Sequence, residues 1–413
     1  MFKITSLNSF SVILKIGIGL ITSKMLAVFV GPSGMALVGN LRNFLTSLES
    51  ISTLGFQNGI VKYTAENEKN KTELQKIFAT VFISLVAIAL ILSAVLFFFA
   101  QYWNQKIFGH DFKYVLVFKI LALALPWYAV SIFFISIING LGKFKKVIWI
   151  SIFGNLIGLL VSVLMIWKFK TLGALLGIVI TPSLLFFITF YFIQKEVRFF
   201  QNLRTDLFDF KILKNLSSYS VMAFVSSVFG PFVFLAVRSN IIQVLGIEQA
   251  GYWETMSRIS SYYLLFVSTI LTVYFLPKLS KAQNDLETRS IVRQYYRFIL
   301  PVFVAVSTVI YFARFFIIEL LFTKAFLPVT SLFFWQLLGD VFKVCSLILG
   351  YQFFARKLTV AFIITEFFSL SLLYISSLNF VQLFQIEGVL IAQVFTNFVY
   401  LLVLALYFRK SII

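Results

Sequence analysis

Cysteine and histidine each occur once in 413 residues, as Cys345 and His110. One cysteine excludes a disulfide framework within the chain, and one histidine argues against a histidine-built metal site. Charge is scarce as well. Only 12% of residues are Asp, Glu, Lys or Arg, against roughly 25% in a soluble domain, whose surface must face water. No Walker sequence, dinucleotide fingerprint, zinc spacing or nucleophile elbow is present. No metal and no cofactor are therefore expected. Without a phosphate-binding loop, energy has to come from a gradient, the membrane potential or the substrate's own concentration difference.

Hydrocarbon takes the place of charge. Hydrophobic residues make up 60% of the chain, Phe alone numbers 52, and the mean hydropathy is +0.95. Lipid is then the main solvent, and the apolar stretches are counted from the interruptions between them. Helices are expected at 9–30, 35–61, 77–102, 114–139, 147–167, 172–194, 217–245, 251–276, 298–320, 328–354, 358–378 and 387–408. Each is near or above the ~20 residues that cross a bilayer. The first is too long for a cleaved signal peptide and carries Lys15 and Lys24. The fold class is thus all-α, a polytopic membrane protein of about twelve transmembrane helices.

In a soluble protein a net charge of +19 would suggest nucleic acid; here its placement gives orientation instead. The termini and even-numbered connections hold 22 cations: Lys3; Lys62, Lys69, Lys71, Lys76; Lys143, Lys145, Lys146; Lys195, Arg198, Arg204, Lys211, Lys214; Lys278, Lys281, Arg289, Arg293, Arg297; Arg356, Lys357; Arg409, Lys410. The odd-numbered connections hold six: Lys106, Lys113, Lys168, Lys170, Arg314 and Lys324. By the positive-inside rule both termini are cytoplasmic, and no nucleic-acid partner is expected.

The two halves echo each other. Gly31-Pro32-Ser33-Gly34 follows helix 1 as Gly246 to Gly251 follows helix 7, and a hydrophilic loop opens 28 residues after Gly34 and 27 after Gly251. A repeat of about 210 residues accounts for this. It gives an N-terminal six-helix lobe at 1–197, a cytoplasmic linker at 198–216 and a C-terminal six-helix lobe at 217–413, with a central cavity between two rocking bundles. The linker's polar run (Gln201, Asn202, Arg204, Asp206, Asp209, Lys211) reads as an amphipathic interfacial piece.

Seven cations lie inside the spans: Lys15, Lys24, Arg42, Lys119, Arg238, Arg258 and Lys343. Four acids do: Glu49, Glu254, Asp340 and Glu366, with Arg314, Glu319 and Glu387 counted to the connections beside spans 298–320 and 387–408. Each costs a few kcal/mol there unless paired, hydrated or able to reach the interface. Lys24 and Arg42 in the first half, and Arg238 and Arg258 in the second, sit seven or eight residues from the repeat-related glycines. That is about 10–12 Å below the outer helix ends. This match in depth suggests an outward-half cavity holding phosphate, for which the guanidinium fork is suited. Lys15 belongs with them if Gly17 and Gly19 let helix 1 bend. The bland readings stay open. Arg258 follows Glu254 by four residues, so the two neutralise each other on one face. Asp340 and Lys343 are a local pair or part of a coupling-ion site. Glu49 and Glu366 are coupling groups or interhelical ion-pair partners, and Lys119 snorkels. Gly230-Pro231 is either a functional break or a tolerated kink.

The run Lys15-Ile16-Gly17-Ile18-Gly19-Leu20, Ser23-Lys24-Met25-Leu26-Ala27-Val28, Gly31-Pro32-Ser33-Gly34, Asn40-Leu41-Arg42 and Gly59-Ile60-Val61-Lys62-Tyr63 resembles the start of the O-antigen and enterobacterial-common-antigen (lipid III) flippases. These belong to the multidrug/oligosaccharidyl-lipid/polysaccharide exporter superfamily. The resemblance is close over about residues 10–75. It implies two six-helix lobes, a cationic cavity, alternating access and a substrate of undecaprenyl pyrophosphate carrying an oligosaccharide. Lys15, Lys24 and Arg42 match the family's basic positions; Arg238, Arg258 and Lys343 have no such match. The setting it implies is a bacterial inner membrane, with polysaccharide polymerase and chain-length proteins as partners beside the lipid bilayer. A cation-coupled multidrug exporter is the alternative, but it would carry surplus acids. A membrane polysaccharide polymerase would need a large outer loop or a carboxylate cluster.

Overall fold

The computed structural model describes residues 2–109, 111–197, 199, 203 and 205–411. His110, Arg198, Gln201, Asn202 and Arg204 lie outside the described residues, as does the side chain of Lys3. Among the described residues there is no strand.

The helices follow the apolar runs. Helix α1 is Phe2–Phe29, α2 is Gly31–Ser52, α3 is Lys71–Phe98 and α4 is Val115–Gly140. Helices α5 and α6 are the two arms of Phe144–Val197, separated by non-helical backbone at Lys170. Next come α7 (Phe210–Leu245), α8 (Ile247–Ile270), α9 (Asp285–Phe312) and α10 (Val329–Ala355). Helices α11 and α12 are the arms of Thr359–Tyr407 on either side of Phe384 and Gln385. Among the described residues nine helices are long and apolar enough to cross a bilayer, and two of these are the double-length pairs. With α2, made more polar by Asn40, Arg42, Asn43 and Glu49, there are twelve spans.

Three departures from the expected spans have physical causes. The span expected at 35–61 is broken after Ser52 and resumes at Gln57–Glu66, because Leu54 and Gly55 both take positive φ (53° and 64°). Helices α7 and α9 begin well before their apolar runs, at Phe210 and Asp285. Hydropathy marks the hydrocarbon, whereas Lys and Arg are good helix formers and extend a helix beyond it. Helix α7 also runs unbroken through Gly230-Pro231, whereas α8 is followed directly by a π-helical turn at Leu271–Phe275.

The backbone carries the repeat. Positive φ occurs at Gly31 and Gly246, at Gly142 and Lys357, and at Lys170 and Gln385; each pair is 215 residues apart. Asn70 caps α3 by accepting from the Glu73 amide, and Asn284 caps α9 by accepting from the Glu287 amide. Both capped helices are 28 residues long. At Gly173 and Gly388, also 215 apart, a Cβ would fall 1.8 Å and 2.0 Å from the carbonyl oxygens of Met165 and Phe380. The same tight turn is therefore built twice, and only glycine allows its close approach.

The described chain forms two compact units, one of residues 1–30 and 40–231, the other of 31–39 and 232–413. In the first, Phe78, Phe133, Phe134, Phe199 and Leu216 are buried together, and the Phe199 ring lies 5.1 Å from that of Phe134. Phe199 and Leu216, expected in an interfacial linker, are thus core residues. The Asp209 amide donates to the Thr80 hydroxyl at 2.9 Å and holds the start of α7 to α3. Because lipid is as apolar as a side chain, small residues set much of the packing. At Gly154 and Gly158 of α5 a Cβ would come within 2.2 Å of Leu185 and 2.7 Å of Thr181 on α6. In the second unit, Tyr295 and Tyr296 of α9 donate to the carbonyls of Val344 and Cys345 on α10.

Candidate functional site

In the first unit the polar groups gather on α2. Arg42 and Glu49 are seven residues, or two turns, apart, so both face one way. They line a cavity of about 180 Å³ together with Thr46, Tyr128 and Ser183. Glu49 accepts hydrogen bonds from the Tyr128 hydroxyl of α4 and from Gln57 Nε2, the latter at 3.2 Å. Its interhelical partners are thus neutral, not the cation the sequence allowed for. Glu49 also lines a second hollow of about 150 Å³ with Ser50, Gln57 and Ser227. Lys24 of α1 is half-buried and Lys15 is exposed. Lys119 is exposed too, its ammonium 5.9 Å from the centre of the Phe97 ring.

In the second unit Arg238 of α7 and Arg258 of α8 converge on Glu254. Arg238 Nη2 lies 2.7 Å from Glu254 Oε2, and Arg258 Nε lies 3.4 Å from Glu254 Oε1. The three residues are only 2%, 5% and 4% exposed, in the order Arg238, Arg258, Glu254. The Arg238 guanidinium also stands 5.1 Å from the centre of the Trp253 ring. The cluster rests on Gly39: a Cβ there would be 2.3 Å from Glu254 Oε2 and 2.8 Å from Arg238 Cζ. A second close approach sits one helix end away, where a Cβ on Gly251 would be 1.9 Å from the Pro32 carbonyl oxygen. The local pairing of Arg258 with Glu254 is present, and Arg238 joins it. A buried carboxylate with two guanidiniums keeps a net positive charge while each cation has a partner.

Asp340 of α10 is 2% exposed. Its Oδ2 accepts from Ser260 and Tyr263 of α8 at 2.6 Å each, and from Gln336 at 3.1 Å. Helix α8 packs against that face of α10 and supplies two of these three neutral donors, while Lys343 is exposed and within electrostatic reach of Asp340. Glu366 of α11 is half-buried, within electrostatic reach of Tyr400 on α12. The two units thus each hold a carboxylate and a tyrosine across the same helix pairing, with roles exchanged. Glu49 on α2 meets Tyr128 on α4, and Tyr263 on α8 meets Asp340 on α10. Tyr128, Gln57, Tyr263, Ser260 and Gly39 escaped the sequence reading. No local pattern marks them, since the Tyr–carboxylate partners are 77 and 79 residues apart.

Known proteins match this chain along most of its length. The Lipid III flippase of Escherichia coli strain K12 is 29% identical over 366 residues, covering 88% of each chain. An inward-facing multidrug-resistance MATE family transporter of the MOP superfamily superposes with a TM-score of 0.80 at 15% identity, over 97% of this chain and 98% of the other. The lipid II flippase MurJ, in an inward closed conformation, superposes with a TM-score of 0.69 at 18% identity, over 99% of this chain and 88% of the other. The fold is therefore that of these multi-pass membrane transporters. The family model described as polysaccharide biosynthesis protein matches residues 25–331, and the chain belongs to that family.

Proposed function

We propose that this protein is a flippase, which moves an oligosaccharide linked to undecaprenyl pyrophosphate from the cytoplasmic to the periplasmic leaflet of a bacterial inner membrane. It is a transporter and not an enzyme. The observation that carries the reading is the match to the Lipid III flippase across 88% of both chains, on a fold common to lipid II flippase. The excess of intramembrane cations over acids, seven to four, agrees with an anionic cargo and disfavours a cation-coupled multidrug exporter.

Within that reading Lys24 and Arg42 hold the pyrophosphate, with Lys15 further along α1 as an approach site. Arg238 and Arg258 serve through Glu254, as a buried ionic node and not as phosphate ligands. Glu49, Asp340, Lys343 and Glu366 change their pairing during the transport cycle. The lobes at 1–197 and 217–413 are the bodies that alternate access, and both termini face the cytoplasm. Polysaccharide polymerase and chain-length proteins take up the product.

The test is transport by the full-length protein in proteoliposomes, using polyprenyl-pyrophosphate oligosaccharides extracted from its source cells. A hydrogen bond to a charged group contributes about 1.5–3 kcal/mol. Lys24→Ala and Arg42→Ala are therefore each expected to weaken apparent substrate affinity about 10- to 100-fold. If both variants behave as wild type, the pyrophosphate assignment is wrong. If the wild type moves none of these lipids, the flippase reading itself fails.

A further inference from the structure

The second unit holds a cavity of about 470 Å³ lined from α7, α8, α10, α11 and α12. This lies within the roughly 300–1,000 Å³ of small-molecule sites. The pyrophosphate reading above makes no use of it. Its lining is unusual for a membrane interior. Ser257, Ser261, Ser268 and Ser369 bring hydroxyls, and Gln393 and Asn397 bring amides. Leu264, Leu265, Leu370 and Leu373 supply the apolar remainder.

Three buried acceptor atoms on this lining lack a hydrogen-bond partner: Gln336 Oε1, Gln393 Oε1 and Thr396 Oγ1. Gln336 and Thr396 are only 7% and 3% exposed, so each unmade bond is costly. Asn397 is fixed by donating to the Gly339 carbonyl at 3.0 Å, which leaves its amide oxygen available. Oxygen acceptors on two helices therefore await donors. Of the residues that line the cavity, Asp340 and Lys343 are the ionisable ones with opposite charges, so the lining is neutral overall. A phosphate would lack compensating charge here. A neutral guest rich in hydroxyl groups would not.

We infer that this cavity is a glycan subsite, which receives sugar rings of the lipid-linked substrate. The inference rests on the flippase reading and gives it a second handle besides the pyrophosphate. Sugar hydroxyls donate to Gln336, Gln393, Thr396 and Asn397, while the leucines cover the carbon–hydrogen faces of the rings. Recognition through buried acceptors that lack a protein partner is discriminating, because a guest without matching donors leaves them unpaired.

The experiment measures binding of two probes to the purified full-length protein. One is the polyprenyl-pyrophosphate oligosaccharide extracted from the source cells. The other is the same polyprenyl pyrophosphate carrying no glycan. The wild type is expected to prefer the glycosylated form at least tenfold. Gln393→Leu and Thr396→Val are each expected to bring that ratio severalfold closer to one, and the double variant to abolish the preference. Lys24→Ala should weaken both probes and preserve the ratio. Thermal unfolding of each variant controls for folding. A wild type that binds both probes equally, or variants that keep the full ratio, overturns the glycan subsite and leaves the flippase reading intact. A wild type that binds neither probe overturns both.

Discussion

Gly39 shows how little room surrounds the buried ionic node. Its missing Cβ is what lets Glu254 and Arg238 settle against α2, with atoms 2.3 Å and 2.8 Å from where a Cβ would be. Gly39→Ala must push the pair apart, and overpacking of this kind costs about 1–3 kcal/mol. Glu254→Gln acts differently, since it keeps the shape but strands two buried guanidiniums. Removing one partner of a buried ionic cluster costs about 3–5 kcal/mol. Arg258→Met leaves the shorter pair, Arg238 with Glu254 at 2.7 Å, intact and balanced. The expected order of destabilisation in detergent, read by thermal unfolding, is Glu254→Gln above Gly39→Ala above Arg258→Met. An Arg258→Met protein as unstable as Glu254→Gln would show that the node is not a balanced pair with an extra cation. The four-residue spacing of Glu254 and Arg258 was legible in the sequence. The part played by Arg238, 16 residues before Glu254 and across a helix turn, was not, because a repeat-matched depth says nothing of which neighbour a side chain meets.

The helix is the scale at which the sequence was most informative, and the reason is solvent. Lipid forbids unpaired backbone, so loops must leave the hydrocarbon and announce themselves by charge. That is why the interruptions at Lys143–Lys146 and Arg356–Lys357 marked helix ends correctly. The break at Leu54–Gly55 did not announce itself, since Ile51, Leu54 and Phe56 continue the apolar run. The tight turns joining α5 to α6 and α11 to α12 were legible as polar gaps, but their geometry was not. There Lys170 and Gln385 hold φ near 50° with ψ of −124° and −136°, a region that costs a residue with a Cβ about 1–3 kcal/mol. Glycine escapes the strain but loses more entropy on folding. Lys170→Gly and Gln385→Gly are therefore each expected to stabilise by about 1 kcal/mol. Three residues on, Gly173→Ala and Gly388→Ala should destabilise by at least as much, since the new Cβ meets backbone that cannot yield. Opposite signs at positions three apart, repeated in both halves, are specific to this turn. Glycine substitutions that destabilise at Lys170 and Gln385 would contradict it.

For the whole molecule, charge sets both orientation and drive. The proposal that both termini are cytoplasmic rests on the 22 cations of the termini and even-numbered connections against six in the odd-numbered ones. The single Cys345 makes this easy to check. In a Cys345→Ser background, Lys170→Cys in intact spheroplasts is expected to react with an impermeant maleimide, and Lys145→Cys only after lysis. The reverse pattern would invert the proposed direction of transport. In the proposed orientation the membrane potential acts on both halves of a transport cycle. With the cytoplasm negative, each negative charge moved outward gains about 2.3 kcal/mol per 100 mV. The same field would draw the proposed cationic site, with Lys24 and Arg42, back toward the cytoplasm once the cargo has left. No coupling ion is needed for such a cycle. In proteoliposomes of defined orientation, a potential of about 100 mV, negative on the cytoplasmic side, is expected to speed export of the lipid-linked oligosaccharide severalfold over zero potential, with the pH equal on both sides. Neutralising Lys24 or Arg42 should also reduce that acceleration, because less charge returns through the field. Export at the same rate with the potential clamped to zero would remove the potential as the driving force and leave an ion gradient or the substrate's own gradient to supply it.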